Sequence, residues 1–288
     1  MSRRSGLPWA STSLPAMRKQ WCHVLEEGID RLREQGSSMV AQAQEDLAGL
    51  AASSLYYVSR DMTDLATSAA ESLPEWSPAA AVPEPFGLLG WAKPAGVFDW
   101  PVPGGTERIV MPVDAVLWGV KNGSVAVSCA FRTDRIAEKL SPGLARLPLL
   151  SHPVGVWDLE QPVAHRVEDG RVAPLAILGS AWLLMGQVRV AAARTIGGGG
   201  SGGGESFAAL QDSAPVSLIE LRRPVRDTAG DTGGGRRRRS DKRWWVTGHW
   251  REARVGPGRT LRRPVWVNPH IKGDPTAELS ERVAVWRR

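Results

Sequence analysis

The chain has 288 residues, long enough for two domains or for one large domain with appendages. Its 42% hydrophobic content is that of a globular protein. The two cysteines, Cys22 and Cys129, exclude a disulfide framework and a CxxC metal knuckle, and they fit a reducing cytoplasm. The net charge of +6 is unevenly placed: residues 236–288 hold fifteen Lys/Arg against five Asp/Glu, a local +10, so everything before Arg236 sums to −4.

Residues 1–15 read as a flexible Pro/Ser-containing leader, and Pro8, Ser11, Thr12, Ser13 and Pro15 break up any signal-peptide core. Met17, Trp21, Val24, Leu25, Ile29 and Leu32 then recur at helical spacing, which predicts a helix over 16–35. Gly36-Ser37-Ser38 separates it from a second helix carrying Met39, Val40, Ala43, Leu47 and Leu50. Residues 55–58 read as a strand, with Ser59 as N-cap of a helix over 60–72. Pro74 ends that helix, and residues 86–91 read as an inner strand.

Apolar runs at 109–113, 115–120 and 124–131 make the middle of the chain β-rich. Asn122-Gly123 between the last two is a hairpin signal, because both central residues of a type I′ turn need positive φ. Residues 132–172 read as irregular and Pro-rich, with one short helix at 134–140. Pro174 suits the first turn of an apolar helix over 175–193, which serves as the spine of the N-terminal core. The apolar run 172–188 is too short to span a bilayer and is broken by Pro174, Ser180 and Gln187, so no membrane contact is expected.

Gly197 to Gly204 is a linker composition, with a second break at 227–240. These mark a domain over 16–196, a linker at 197–204 and a basic module over 205–288. The module offers strands at 216–222, 243–251, 264–268 and 283–287, read as one antiparallel sheet. The fold class is therefore α+β: N-terminal helices with an antiparallel sheet, and a basic C-terminal antiparallel β module. In 243–251, Trp244, Val246, Gly248 and Trp250 share one face, and Trp245, Thr247, His249 and Arg251 share the other.

Five of the thirteen tryptophans lie in this cationic end. Cations interleaved with indoles on strands suit an anionic, flat or extended partner. The expected contact residues are Trp245, His249, Arg251, Arg259, Arg263, Trp266 and Lys272. On these residues the expected partner is RNA or a peptide. A ribonuclease-like alternative would use His249, Arg251, Glu252 and His270 as base, acid and phosphate clamp. Gly256-Pro257-Gly258-Arg259 lacks the P-loop pattern and reads as a hairpin connection. No HExxH, His/Cys cluster, GxSxG or strand-linked GxGxxG is found, so no catalytic motif, metal site or cofactor is expected.

Two groups of motifs together resemble largely uncharacterised proteins of actinobacteria and their phages and plasmids, and an anti-CRISPR family directed at the type V-A effector nuclease. One group is Leu55-Tyr56-Tyr57-Val58, Met62-Thr63, Leu73-Pro74-Glu75-Trp76 and Phe86-Gly87-Leu88-Leu89. The other is Gly248-His249-Trp250-Arg251 and Arg263-Pro264-Val265-Trp266, with Gly258-Arg259, Lys272-Gly273 and Val285-Trp286-Arg287-Arg288. That family is understood to recognise the effector's nascent N-terminal peptide and to promote loss of its messenger. The resemblance thus implies a regulatory, non-catalytic binding protein of a mobile element or its host that engages a nascent polypeptide or a ribosome-associated complex, with a phage structural or packaging protein as a further alternative.

Overall fold

The computed structural model describes residues 8–101, 108–164, 167–168, 171–197, 214–222, 243–255, 257–273 and 279–280. Helix α1 (Leu14–Glu34) buries Leu14, Met17, Trp21 and Ile29, and α2 (Val40–Ala52) buries Leu50. Helix α3 (Arg60–Ala70) starts where Ser59 Oγ accepts the Met62 backbone N–H at 3.4 Å. Helix α4 (Pro174–Met185) has Pro174 in its first turn and buries every residue from Ala176 to Leu184. It ends eight residues before the expected limit of 193, because residues after Gly186 turn back into a strand. No helix among the described residues is long and apolar enough to cross a membrane.

The first eleven strands are β1 (Ser54–Val58), β2 (Phe86–Trp91), β3 (Val97–Pro101), β4 (Arg108–Pro112), β5 (Ala115–Lys121), β6 (Ser124–Arg132), β7 (Leu149–Asp158), β8 (Val167–Glu168), β9 (Arg171–Val172), β10 (Ala191–Ile196) and β11 (Val216–Leu221). Seven of them form one sheet in the order β10-β11-β1-β2-β5-β6-β7, while β3 pairs with β4 and β8 with β9. The sheet is mixed rather than antiparallel, since β1 runs parallel to both β11 and β2. Helix α3 makes the crossover between β1 and β2 that a parallel pair requires.

Strand β11 departs most from expectation. It belongs to this large sheet and not to the C-terminal one, so the glycine run at 197–204 does not divide the sheet. Leu55 pairs with Val216 on one side, and Ile196 with Val216 on the other. Ser59 N donates to Ile219 O at 2.9 Å, and Arg222 N to Val190 O at 2.7 Å. The physical reason is two-sided burial: Val216 and Leu218 enter one core and Ile219 the other, which suits an inner strand.

The same alternation runs through the sheet. Leu55, Tyr57, Leu88, Val216 and Leu218 face Leu14, Trp21 and Leu50 of α1 and α2. Tyr56, Val58, Leu89, Trp91 and Ile219 face Met62, Ala66, Leu178 and Trp182 of α3 and α4. The architecture is therefore α+β, with a helical layer on each side of a mixed sheet.

Asn122 (φ 51) and Gly123 (φ 75) form the turn between β5 and β6, in the left-handed region the sequence signal requires. Residues 133–139 form two 3-10 turns instead of the expected helix. Strand β7 lies in the stretch read as irregular. Pro153 and an extra residue at Val154, where the register shifts between Val127 and Ser128, disguise it, and an edge strand tolerates both.

Asp114, 1% exposed, fastens those turns to β5. Its Oδ2 accepts from Arg132 N and Arg135 Nε, each at 3.0 Å, and its Oδ1 from Arg135 Nη2 at 2.6 Å. Asp114→Ala would strand the Arg135 guanidinium and leave a buried gap. We expect a loss of about 2 kcal/mol in urea unfolding, reduced from a fully buried pair because Arg135 keeps some water contact. A loss within error of zero would contradict this role.

Both cysteines are free thiols. Burial pushes the Cys129 thiol from its ordinary 9.0 up to about 12. The folded chain holds this proton more tightly than the unfolded chain does. Its contribution to stability is therefore whole below pH 9.0 and is lost as the pH rises towards about 12. The native protein at pH 8 should leave Cys129 unalkylated by iodoacetamide, with reaction only after denaturation, as read by peptide mass. Rapid native alkylation would contradict the burial.

Candidate functional site

The cationic end supplies β12 (Arg243–Val246), β13 (His249–Val255), β14 (Leu261–Val267), β15 (His270–Gly273) and β16 (Leu279–Ser280). β13 pairs antiparallel with β14, β12 antiparallel with β15, and β16 parallel with β12. Val246 pairs with His270 and His249 with Val267, so both strands pause for two residues and resume in one register. The four strands thus make one long hairpin interrupted at Thr247-Gly248 and Asn268-Pro269. Pro269 has no N–H to give the ladder there. The hairpin turns at Pro257–Arg259, where Gly258 (φ 66) and Arg259 (φ 55) are left-handed, as a connection at this position requires. The strand expected at 283–287 lies outside the described residues.

One face of the hairpin carries Trp250 and Trp266, which are directly opposite each other. Their rings meet edge-on, 5.3 Å apart at 69°. Trp266 N donates to Gln187 Oε1 at 3.0 Å, and Gln187 Nε2 donates to Leu183 O at 3.1 Å. Trp250 Nε1 donates to Ala69 O at 2.7 Å, near the C-terminal end of α3. The hairpin is therefore docked on the ends of α3 and α4. Trp266, expected as a contact residue, is 6% exposed and belongs to the α3/α4 core. It shares the inward face with Trp250, and its ring covers Gly248, where a Cβ would run into it.

The other expected residues are scattered. His249 and Arg251 are exposed on the outward face beside half-buried Val265 and Val267. His249 Nδ1 lies 3.0 Å from Thr247 O. Arg263 is on the same face but half-buried, and a Cβ built on Gly186 would stand 2.8 Å from its Nη2. That places a guanidinium at the C-terminal end of α4, where the helix dipole favours a cation. Arg259 is exposed at the turn. Lys272 and His270 are exposed on the Trp266 face by register, and His270 Nδ1 lies 3.0 Å from Asn268 O. The backbone of Trp245 pairs with Ile271, and its side chain lies outside the described residues.

Beyond the tryptophans the ribbon leaves the core. Glu252, Arg254 and Arg262 lie on the Trp250 face and are exposed, so the last part of the hairpin is in solvent on that side too. Arg254 is directly opposite Arg262, and Arg262 Nη1 reaches Glu252 Oε2 at 2.9 Å. Sequence reasoning left out Arg254, Arg262 and Gln187. The first two were within reach, because a turn centred on Gly258 sets the register that makes them neighbours.

The ribonuclease-like arrangement does not assemble. His249 and Glu252 face opposite sides of β13. His270 shares a face with Glu252 but stands at the level of Val246, six residues away and roughly 20 Å at ~3.3 Å per residue. An acid and a base that far apart cannot serve one phosphate. No group of three or more metal-ligating side chains occurs among the described residues.

Comparison with protein-family models, with curated proteins and with solved structures returns no match. The fold and the site define an α+β protein with a cationic two-stranded ribbon docked on a helix-flanked mixed sheet. Docking depends on Gly248: Gly248→Ala should displace the Trp266 indole and cost about 2 kcal/mol by overpacking, with a changed tryptophan emission. A variant with wild-type stability and emission would show that the ring does not rest there.

Proposed function

We propose that this protein is a non-catalytic regulatory binding protein that holds RNA by its phosphates on the projecting part of the C-terminal ribbon. One observation carries the reading. Residues 243–273 contain seven Lys/Arg and a single acid, Glu252, and that acid is engaged by Arg262. Arg251, Arg254 and Arg259 are left exposed with no acidic partner among the described residues. Such a surface attracts a polyanion with steep salt dependence. The inward turn of Trp266 removes an expected base-stacking platform, so phosphate contact is the better supported mode. A mobile-element or host role, an anti-CRISPR-like control of a target's expression and a cytoplasmic site of action belong to the same proposal. They rest on the resemblance and on cysteine usage.

The test is fluorescence anisotropy with labelled RNA, comparing wild type with Arg251→Ala/Arg254→Ala/Arg259→Ala. Arg263 is spared because its guanidinium sits on the end of α4. The triple variant should bind about tenfold more weakly or worse, and its log–log salt slope should fall by about 2, the share of three phosphates. A folded triple variant with wild-type affinity and slope would sink the proposal.

A further inference from the structure

Resting on the RNA reading, we infer that the ribbon enters a groove of a base-paired RNA stem, opened by a bulge or loop, and does not lie along a single strand. A surface that binds one strand needs its cations on one side. Here the register distributes them to both: Arg251 points from the outward face, and Arg254 and Arg262 from the face of Trp250. Arg259 stands between them at the turn. Arg251 is exposed on one face and Glu252, Arg254 and Arg262 on the other, so phosphates can approach these arginines from either side.

Arg254 and Arg262 are also kept directly opposite one another, an arrangement that costs stability in a bare ribbon. Glu252 offsets only one of them. A row of phosphates along that face would offset the other, while the opposite row meets Arg251. Two phosphate rows facing each other across a ribbon are the walls of a double-helical groove. A two-stranded ribbon with side chains on both faces is about 10 Å thick. The major groove of uninterrupted A-form RNA is too narrow for it, so the stem must be opened locally.

Four labelled probes of matched length test this in anisotropy titrations: a bulged RNA stem, an uninterrupted RNA stem, a single-stranded RNA and a B-form DNA duplex. The bulged stem should bind about tenfold tighter than the single strand and tighter than the other two. Arg251→Ala and Arg254→Ala, on opposite faces, should each weaken it by about threefold to tenfold. Equal affinity for stem and single strand overturns the groove and leaves the RNA reading standing. So does loss confined to one of the two variants. Tightest binding to the DNA duplex overturns the groove assignment to RNA. Absence of binding to every probe overturns the RNA reading itself.

Discussion

Helix α4 has no polar side, and the far face of the molecule is arranged around that constraint. From Ala176 to Leu184 each residue is buried, so the helix needs cover in every direction. The sheet covers one side through Val58, Leu89 and Trp91, and α3 covers another through Met62, Ala66 and Ala69. Trp76 packs over Gly179 and meets Trp182 edge-on. Around Gln187 the cover comes from a segment nearly eighty residues further along, the Trp266 indole and its backbone. An apolar helix thus recruits the cationic C-terminal strands into the same core as the N-terminal ones.

That recruitment changes what the cationic end can offer a partner. Its inward face is taken up by Trp250 and Trp266, and Arg263 is placed on the end of α4. What projects beyond the tryptophans is guanidinium rather than indole, and it projects on both faces of a ribbon. The same side-chain chemistry is used oppositely at Asp114, where a buried carboxylate answers Arg135 and ties a loop to the sheet. One arginine population is spent on structure, and the other is left in solvent.

Much of the fold is legible from local signals. Asn122-Gly123 announces its hairpin because few residue pairs accept two positive φ angles in succession. Ser59 announces α3 through the amide it caps, and Pro174 announces α4 through its place in the first turn. The pieces that local reading misplaces are decided by distant partners. Val216 to Leu221 has the pattern of a buried strand, but nothing local says that β1 and β10 flank it. β7 is hidden by Pro153 and a bulge that only an edge position makes harmless.

The site divides the same way. Period-two alternation is a property of the extended chain, so the opposition of Trp250 to His249 and Arg251 across β13 could be read directly from the residues. The charge of the hairpin and its turn at Gly258 are likewise local. Which face turns inward is not local, because it depends on where α3 and α4 end and on the carbonyls and the Gln187 side chain they present there. For that reason the sequence by itself determined a basic hairpin with two distinct faces. Only the tertiary structure, by laying Trp266 on Gly248 and against the α3/α4 core, decided which side chains were left exposed.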